Sequence, residues 1–135
     1  MEEKAAFIIP CCGIDSVYGL MTQEVALKLK AEVNKQTKIL GLSYLVNGEI
    51  EAIQTITNRP CIVLNGCKRK CASNVIDIIG GDIDKEYTID KLVVGIDRVN
   101  LGDAVKLSES GERQVCQIAD KVIADLQVTE KGAEK

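Results

Sequence analysis

Apolar residues along the chain fall into two kinds of stretch. Short, nearly unbroken apolar runs occupy residues 5–10 (AAFIIP), 38–43 (KILGLS) and 61–65 (CIVLN), and a fourth, more polar one occupies 85–94 (KEYTIDKLVV). Runs of this length, rich in Ile and Val, predict buried strands, with Asp90 blurring the end of the fourth. Between them the apolar positions recur at helical spacing. Val17, Leu20, Met21, Val25, Leu29 and Val33 mark a helix capped by Asp15 or Ser16. A turn at Asn47-Gly48 precedes a short helix with Ile50, Ile53 and Ile56 on one face, and the residue before Pro60 ends it. A helix through Val75, Ile76 and Ile79 stops at Gly80-Gly81. Residues 95–110 read as a loop. The last helix runs from about 112 to 127, with Val115, Ile118, Ala119, Val122 and Leu126 inward, and TEKGAEK reads as a frayed tail.

Strands alternating with helices predict a three-layer α/β domain of the Rossmann or flavodoxin type, with helices on both faces of a small, mostly parallel four-stranded sheet. The expected strand order is 2-1-3-4, which puts the topological switch point between strands 1 and 3 at their C-terminal ends. The 135 residues read as a single α/β domain, residues 1–135, with an ordered core over about 5–127.

Composition narrows the chemistry. With one Phe, three Tyr and no Trp, the core must be aliphatic, and base stacking on single-stranded nucleic acid is not expected. A net charge of −3 gives no general attraction to nucleic acid or to an anionic membrane. No run approaches the roughly 20 apolar residues of a membrane span, and MEEKAAFIIPCC lacks the basic start of a signal peptide. The expected location is the cytoplasm, where clustered thiols serve metal or redox chemistry more often than disulfides. The chain has no histidine, so Cys–His and Ser–His pairs are excluded, and any general base is a carboxylate, Lys, Tyr or thiolate. There is no G-x-G-x-x-G, no P-loop, no C-x-x-C and no C-x5-R loop.

Cys11 and Cys12 follow strand 1, and Cys67 and Cys71 follow strand 3. The expected strand order brings all four to one crevice. Residues four apart share a helix face, so Cys67 at the turn and Cys71 in the first helical turn form a pair. The helix N-terminus and Lys68, Arg69 and Lys70 beside them favour the thiolate form. Four thiolates suit tetrahedral Zn²⁺ first and an iron–sulfur cluster second, although CC and C-x3-C differ from the usual C-x2-C pairs. If only one of Cys11 and Cys12 ligates, a position is left for water or substrate. Cys61 starts strand 3, about 20 Å from Cys67 at roughly 3.3 Å per residue, and is expected to pack in the core. Cys116 borders the apolar stripe of the last helix and is assigned to packing as well. Tyr18, near the first pair, is read as a packed ring before a hydrogen-bond donor.

IPCCGIDSVYGLMTQEV together with RPCIVLNGCKRKCASNVIDIIGGDI resembles the DGC-domain family, to which zinc binding is attributed, over roughly residues 5–127. The resemblance implies Cys11, Cys67 and Cys71 as ligands, and a Cys like Cys61 is sometimes counted with them. Asn65 stands where the name-giving motif has Asp, and Lys68 where Pro is expected; these exchanges remove a carboxylate and are expected to loosen the turn. The expected function is a small cysteine-cluster protein with a zinc–thiolate site at Cys11, Cys12, Cys67 and Cys71, engaged in metal or sulfur handling. Its ligand would be a metal ion or a small sulfur compound or oxyanion. The alternatives are thiol redox or persulfide transfer through the same cysteines, and an interaction domain in which they are incidental.

Overall fold

The computed structural model describes residues 7–11, 16–32, 38–59, 61–66 and 68–133, with side chains described as far as Leu126. In chain order the elements are β1 (Phe7–Pro10), α1 (Val17–Glu32), β2 (Lys38–Ile39), α2 (Leu42–Val46), α3 (Ile50–Asn58), β3 (Cys61–Asn65), α4 (Cys71–Ile79), β4 (Ile83–Thr88), α5 (Ile89–Leu92), a 3-10 turn (Arg98–Asn100) and α6 (Glu109–Ala133).

The four strands form an all-parallel sheet in the expected order β2-β1-β3-β4. Every residue of β3 is buried, as a central parallel strand covered on both faces requires. The period-2 alternation of β3 defines the layers. Ile62 and Leu64, with Ile8 of β1, face a core built with α1 and α6 through Met21, Val25, Leu29, Ile118 and Val122. Cys61 and Val63, with Ile9, face a second core built with Leu45 of α2, Ala52 and Ile56 of α3, and Ala72 and Ile76 of α4. Burying each large aliphatic side chain contributes about 1.5–3 kcal/mol, so an aromatic-poor core is sufficient when it lies on both sides of the sheet.

Local chemistry explains where the elements begin and end. Ser16 caps α1, its Oγ accepting the Tyr18 amide at 3.2 Å. The α3 helix ends at Asn58 and passes into extended backbone at Arg59. Gly80, at φ 89°, closes α4 in the left-handed conformation and satisfies the carbonyl of Ile76. Ser108 caps α6, its Oγ accepting the Gly111 amide, so this helix starts at Glu109, three residues before the expected 112. It continues to Ala133, through most of the stretch read as a frayed tail.

Other differences have equally local causes. The run 38–43 is a strand only over Lys38–Ile39; Gly41 then leads into α2, which anchors itself by burying Leu45. In α3 the i, i+3, i+6 spacing drifts round the helix by about 60° per step. Ile56 is therefore buried while Ile50 is 70% exposed, and Ala52 takes the inner position. The fourth strand starts earlier, at Ile83, and stops at Thr88, where a helical turn buries Ile89. Cys116 is exposed rather than packed. It lies about 100° round the helix from buried Val115, beyond the edge of the stripe formed by Val115, Ile118, Ala119, Val122 and Leu126.

At the position of the Asp-to-Asn exchange, the end of β3 is hydrogen-bonded to α4 and β4. Asn65 is fully buried. Its Oδ1 accepts the Ser73 amide at 3.2 Å, and its Nδ2 donates to Ser73 Oγ at 2.8 Å and to Glu86 Oε1 at 3.5 Å. Glu86 also pairs with Lys70 at 2.9 Å. Lys70 is the one non-glycine residue with positive φ among the described residues, at φ 50°, a conformation that costs of order 1 kcal/mol and is held here by neighbouring bonds. An aspartate at position 65 would have no donor for Glu86.

Two outcomes follow. Asn65→Asp should lower stability by about 1–3 kcal/mol at pH 7 by setting a buried carboxylate against Glu86, with the loss recovered on acidification or by Glu86→Gln in the same chain. Denaturant titration of the single and double variants checks this, and an Asn65→Asp protein as stable as its parent contradicts it. The Cys61 thiol is pushed from 9.0 up to about 11 by burial first and by Asp82 and Asp84 second. A group held protonated in this way contributes stability that is complete below pH 9 and lost as pH rises toward 11. Mass-mapped alkylation of the folded protein at pH 8 should therefore label Cys116 and spare Cys61; rapid labelling of Cys61 contradicts the packing role.

Candidate functional site

The β1–β3 pairing sets up the site. Ile9 lies opposite Val63 and Pro10 opposite Leu64, and the Cys11 amide extends the ladder by donating to the Leu64 carbonyl at 2.9 Å. Cys11 therefore leaves the sheet beside Asn65. From these adjacent strand ends the chain departs to opposite faces, α1 on one and α4 on the other. Gly66 brings the two exits together. A Cβ at this position would lie 3.2 Å from the backbone of Tyr18 and 3.3 Å from its side chain, so a larger residue would push the β3 turn a few tenths of an ångström away from the first turn of α1.

A crevice of about 540 Å³ opens at this switch point. Cys11 lines it from the end of β1 and Cys71 from the first residue of α4. Cys11 is half-buried and Cys71 is exposed. Cys12 and Cys67 lie outside the described residues. Gly66 and Lys68, which flank position 67 in sequence, both line the crevice, as do Cys11 and Ser16, which flank residues 12–15. Cys61 begins β3 at the opposite end of the strand, within the second core, and Cys116 lies on α6. Among the described residues, no group of three or more His, Cys, Asp or Glu side chains is placed to hold a metal ion.

Three cations and one carboxylate set the electrostatics of the crevice. Lys68 and Arg69 stand on the turn before α4, and none of the ion pairs found among the described residues involves them. Arg98 comes from the 3-10 turn, 82 residues along the chain from Ser16, and reaches the N-terminus of α1. Its guanidinium lies over the Tyr18 ring, 5.5 Å from the centroid, and its Nη2 donates to Ser16 Oγ at 3.4 Å. The loop that carries Arg98 is tied to α6 by Gln114, which exchanges two 3.3 Å hydrogen bonds with the backbone of Val94. Tyr18 thus packs as expected and also supports Arg98.

Asp90 is the one carboxylate lining the crevice among the described residues. Its amide donates to the Gly66 carbonyl at 3.1 Å, fixing α5 against the β3 turn. Its Oδ1 is shielded from solvent and has no hydrogen-bond partner among the described residues. Sequence reasoning missed Asp90 and Arg98 because both sit in segments assigned to a strand end and a loop, with no motif around them. The parallel order offered the one available signal: residues just past the end of strand 4 reach the same edge of the sheet as those past strand 3.

Among the described residues, no helix is long and apolar enough to cross a membrane. No curated protein and no solved structure matches the chain. The family signature of the DGC domain matches residues 7–104, from β1 through the 3-10 turn that carries Arg98 and short of α6, and on that match the chain belongs to the DGC domain family.

Proposed function

We propose that this protein binds Zn²⁺ through Cys11, Cys12, Cys67 and Cys71 at the β1/β3 crevice and serves in metal or sulfur handling. The observation that carries this reading is that Cys11 and Cys71, 60 residues apart in sequence, line one crevice at the switch point. Positions 12 and 67 directly follow Cys11 and Gly66 of that lining in sequence. The described residues hold no three-ligand group without them, so the reading requires Cys12 or Cys67, or both, to complete the set. The charge balance favours it. Zinc held by four thiolates carries a net charge of −2, and the crevice lining, with Lys68, Arg69 and Arg98 against Asp90, is net positive. Four thiolates make a closed structural centre, whereas three leave a position for water or a sulfur ligand. An iron–sulfur cluster would draw on the same donors and ranks second.

The three cations also favour a second reading, thiol redox or persulfide transfer, with one thiolate as nucleophile and one from the opposite strand end as resolving group. The chain has no histidine to act as base, so this reading relies on the thiols themselves.

Protein purified without oxygen is expected to carry about one zinc per chain, reduced at least tenfold in Cys71→Ser and in Cys67→Ser and unchanged in Cys116→Ser, as read by elemental analysis. Metal content indifferent to Cys67 and Cys71 contradicts the zinc reading. A metal-free protein that forms a disulfide between position 11 or 12 and position 67 or 71 on mild oxidation establishes the second reading instead.

A further inference from the structure

The charges of the crevice do not match a simple anion. Three cations, Lys68, Arg69 and Arg98, would suit one, but Asp90 lines the same space, and its Oδ1 is hidden from water and unpartnered among the described residues. A buried carboxylate oxygen without a partner costs free energy, and a purely anionic ligand would add repulsion to that cost. An ammonium group on the ligand would instead complement the charge that the Asp90 carboxylate brings to the crevice. Arg98 supplies the complementary half of such a site. Its guanidinium is steadied by the Tyr18 ring and Ser16 Oγ and has no carboxylate partner among the described residues, so a planar fork is available for a carboxylate. Cys11 and Cys71 line the same crevice.

We infer that the crevice recognises a zwitterionic thiol: an α-amino-acid headgroup, its carboxylate taken by Arg98 with Lys68 or Arg69 and its ammonium by Asp90, with its sulfur presented to the cysteines. The volume of about 540 Å³ falls within the range of small-ligand sites and admits either a free amino acid or a short peptide thiol. This inference rests on the crevice being the functional site proposed above and deepens that reading by naming its ligand class. It needs no bond to form or break.

Calorimetric titration without oxygen, with metal content measured on the same samples, tests it. The probes are L-cysteine, glutathione, 3-mercaptopropionate, which lacks the ammonium, and cysteamine, which lacks the carboxylate. All four carry a thiol, so sulfur affinity for any metal is common to them. L-cysteine or glutathione should bind at least about tenfold more tightly than both truncated thiols, one desolvated charge pair accounting for about that factor. The tighter of the two identifies the source of the headgroup. Asp90→Asn should abolish the advantage over 3-mercaptopropionate, and Arg98→Gln the advantage over cysteamine. Asp90→Asn keeps the size and shape of the side chain, so its melting temperature should stay close to that of the parent. Equal affinity for all four thiols, or no binding by any of them, overturns the inference, and the ranking measured on the wild-type chain decides between these outcomes even if a variant fails to fold. A metal-free protein that still shows the ranking refutes the zinc reading and upholds the zwitterion site; full metal loading without the ranking does the reverse.

Discussion

The parallel pairing of β1 with β3 is the constraint on which the rest depends. Its register, Pro10 opposite Leu64 and Cys11 bonded to the Leu64 carbonyl, fixes where both chains leave the sheet. Because β1 and β3 are neighbours but their following helices cover opposite faces, a gap between the two exits is geometrically unavoidable. Gly66 limits that gap by letting the β3 turn touch Tyr18, and the Asn65–Ser73–Glu86–Lys70 network holds the other side. The crevice is a product of topology, trimmed by one glycine and braced by one buried amide.

The bracing explains an exchange that reads as a loss in sequence. With aspartate at position 65, a carboxylate would lie at the N-terminus of α4; with asparagine, the same side chain accepts the Ser73 amide and also donates to Glu86. Glu86 in turn offsets the left-handed strain at Lys70 through a partly exposed ion pair, an interaction worth about 1 kcal/mol or less. The turn is held by many small contributions, none of which can be read from residue 65 alone.

Much of the fold was legible because the strongest signals were local. The run CIVLN matches β3 residue for residue, the glycine pair after Ile79 ends α4, and the spacing of α6 correctly names its buried face. Where the reading failed, a local pattern was shared by two conformations. KILGLS and KLVV are apolar enough for strands, yet Leu42–Ser43 of the first and Lys91–Leu92 of the second belong to short helices that bury Leu45 and Ile89. Cys116 failed because adjacency to an apolar stripe is not membership of it. In the site, Cys11 and Cys71 were found through strand order, while Arg98 and Asp90 were invisible because their relevance is tertiary: one reaches Ser16 across 82 residues, the other meets Gly66 across the sheet edge.

The zinc reading requires sulfur from both strand ends to meet at one centre. X-ray absorption at the zinc edge of protein purified without oxygen measures this directly. A shell of three or four sulfurs at about 2.3 Å is expected, losing one sulfur in Cys11→Ser and one in Cys71→Ser. A shell of oxygen or nitrogen at about 2.0–2.1 Å, or a sulfur shell unchanged in both variants, contradicts it.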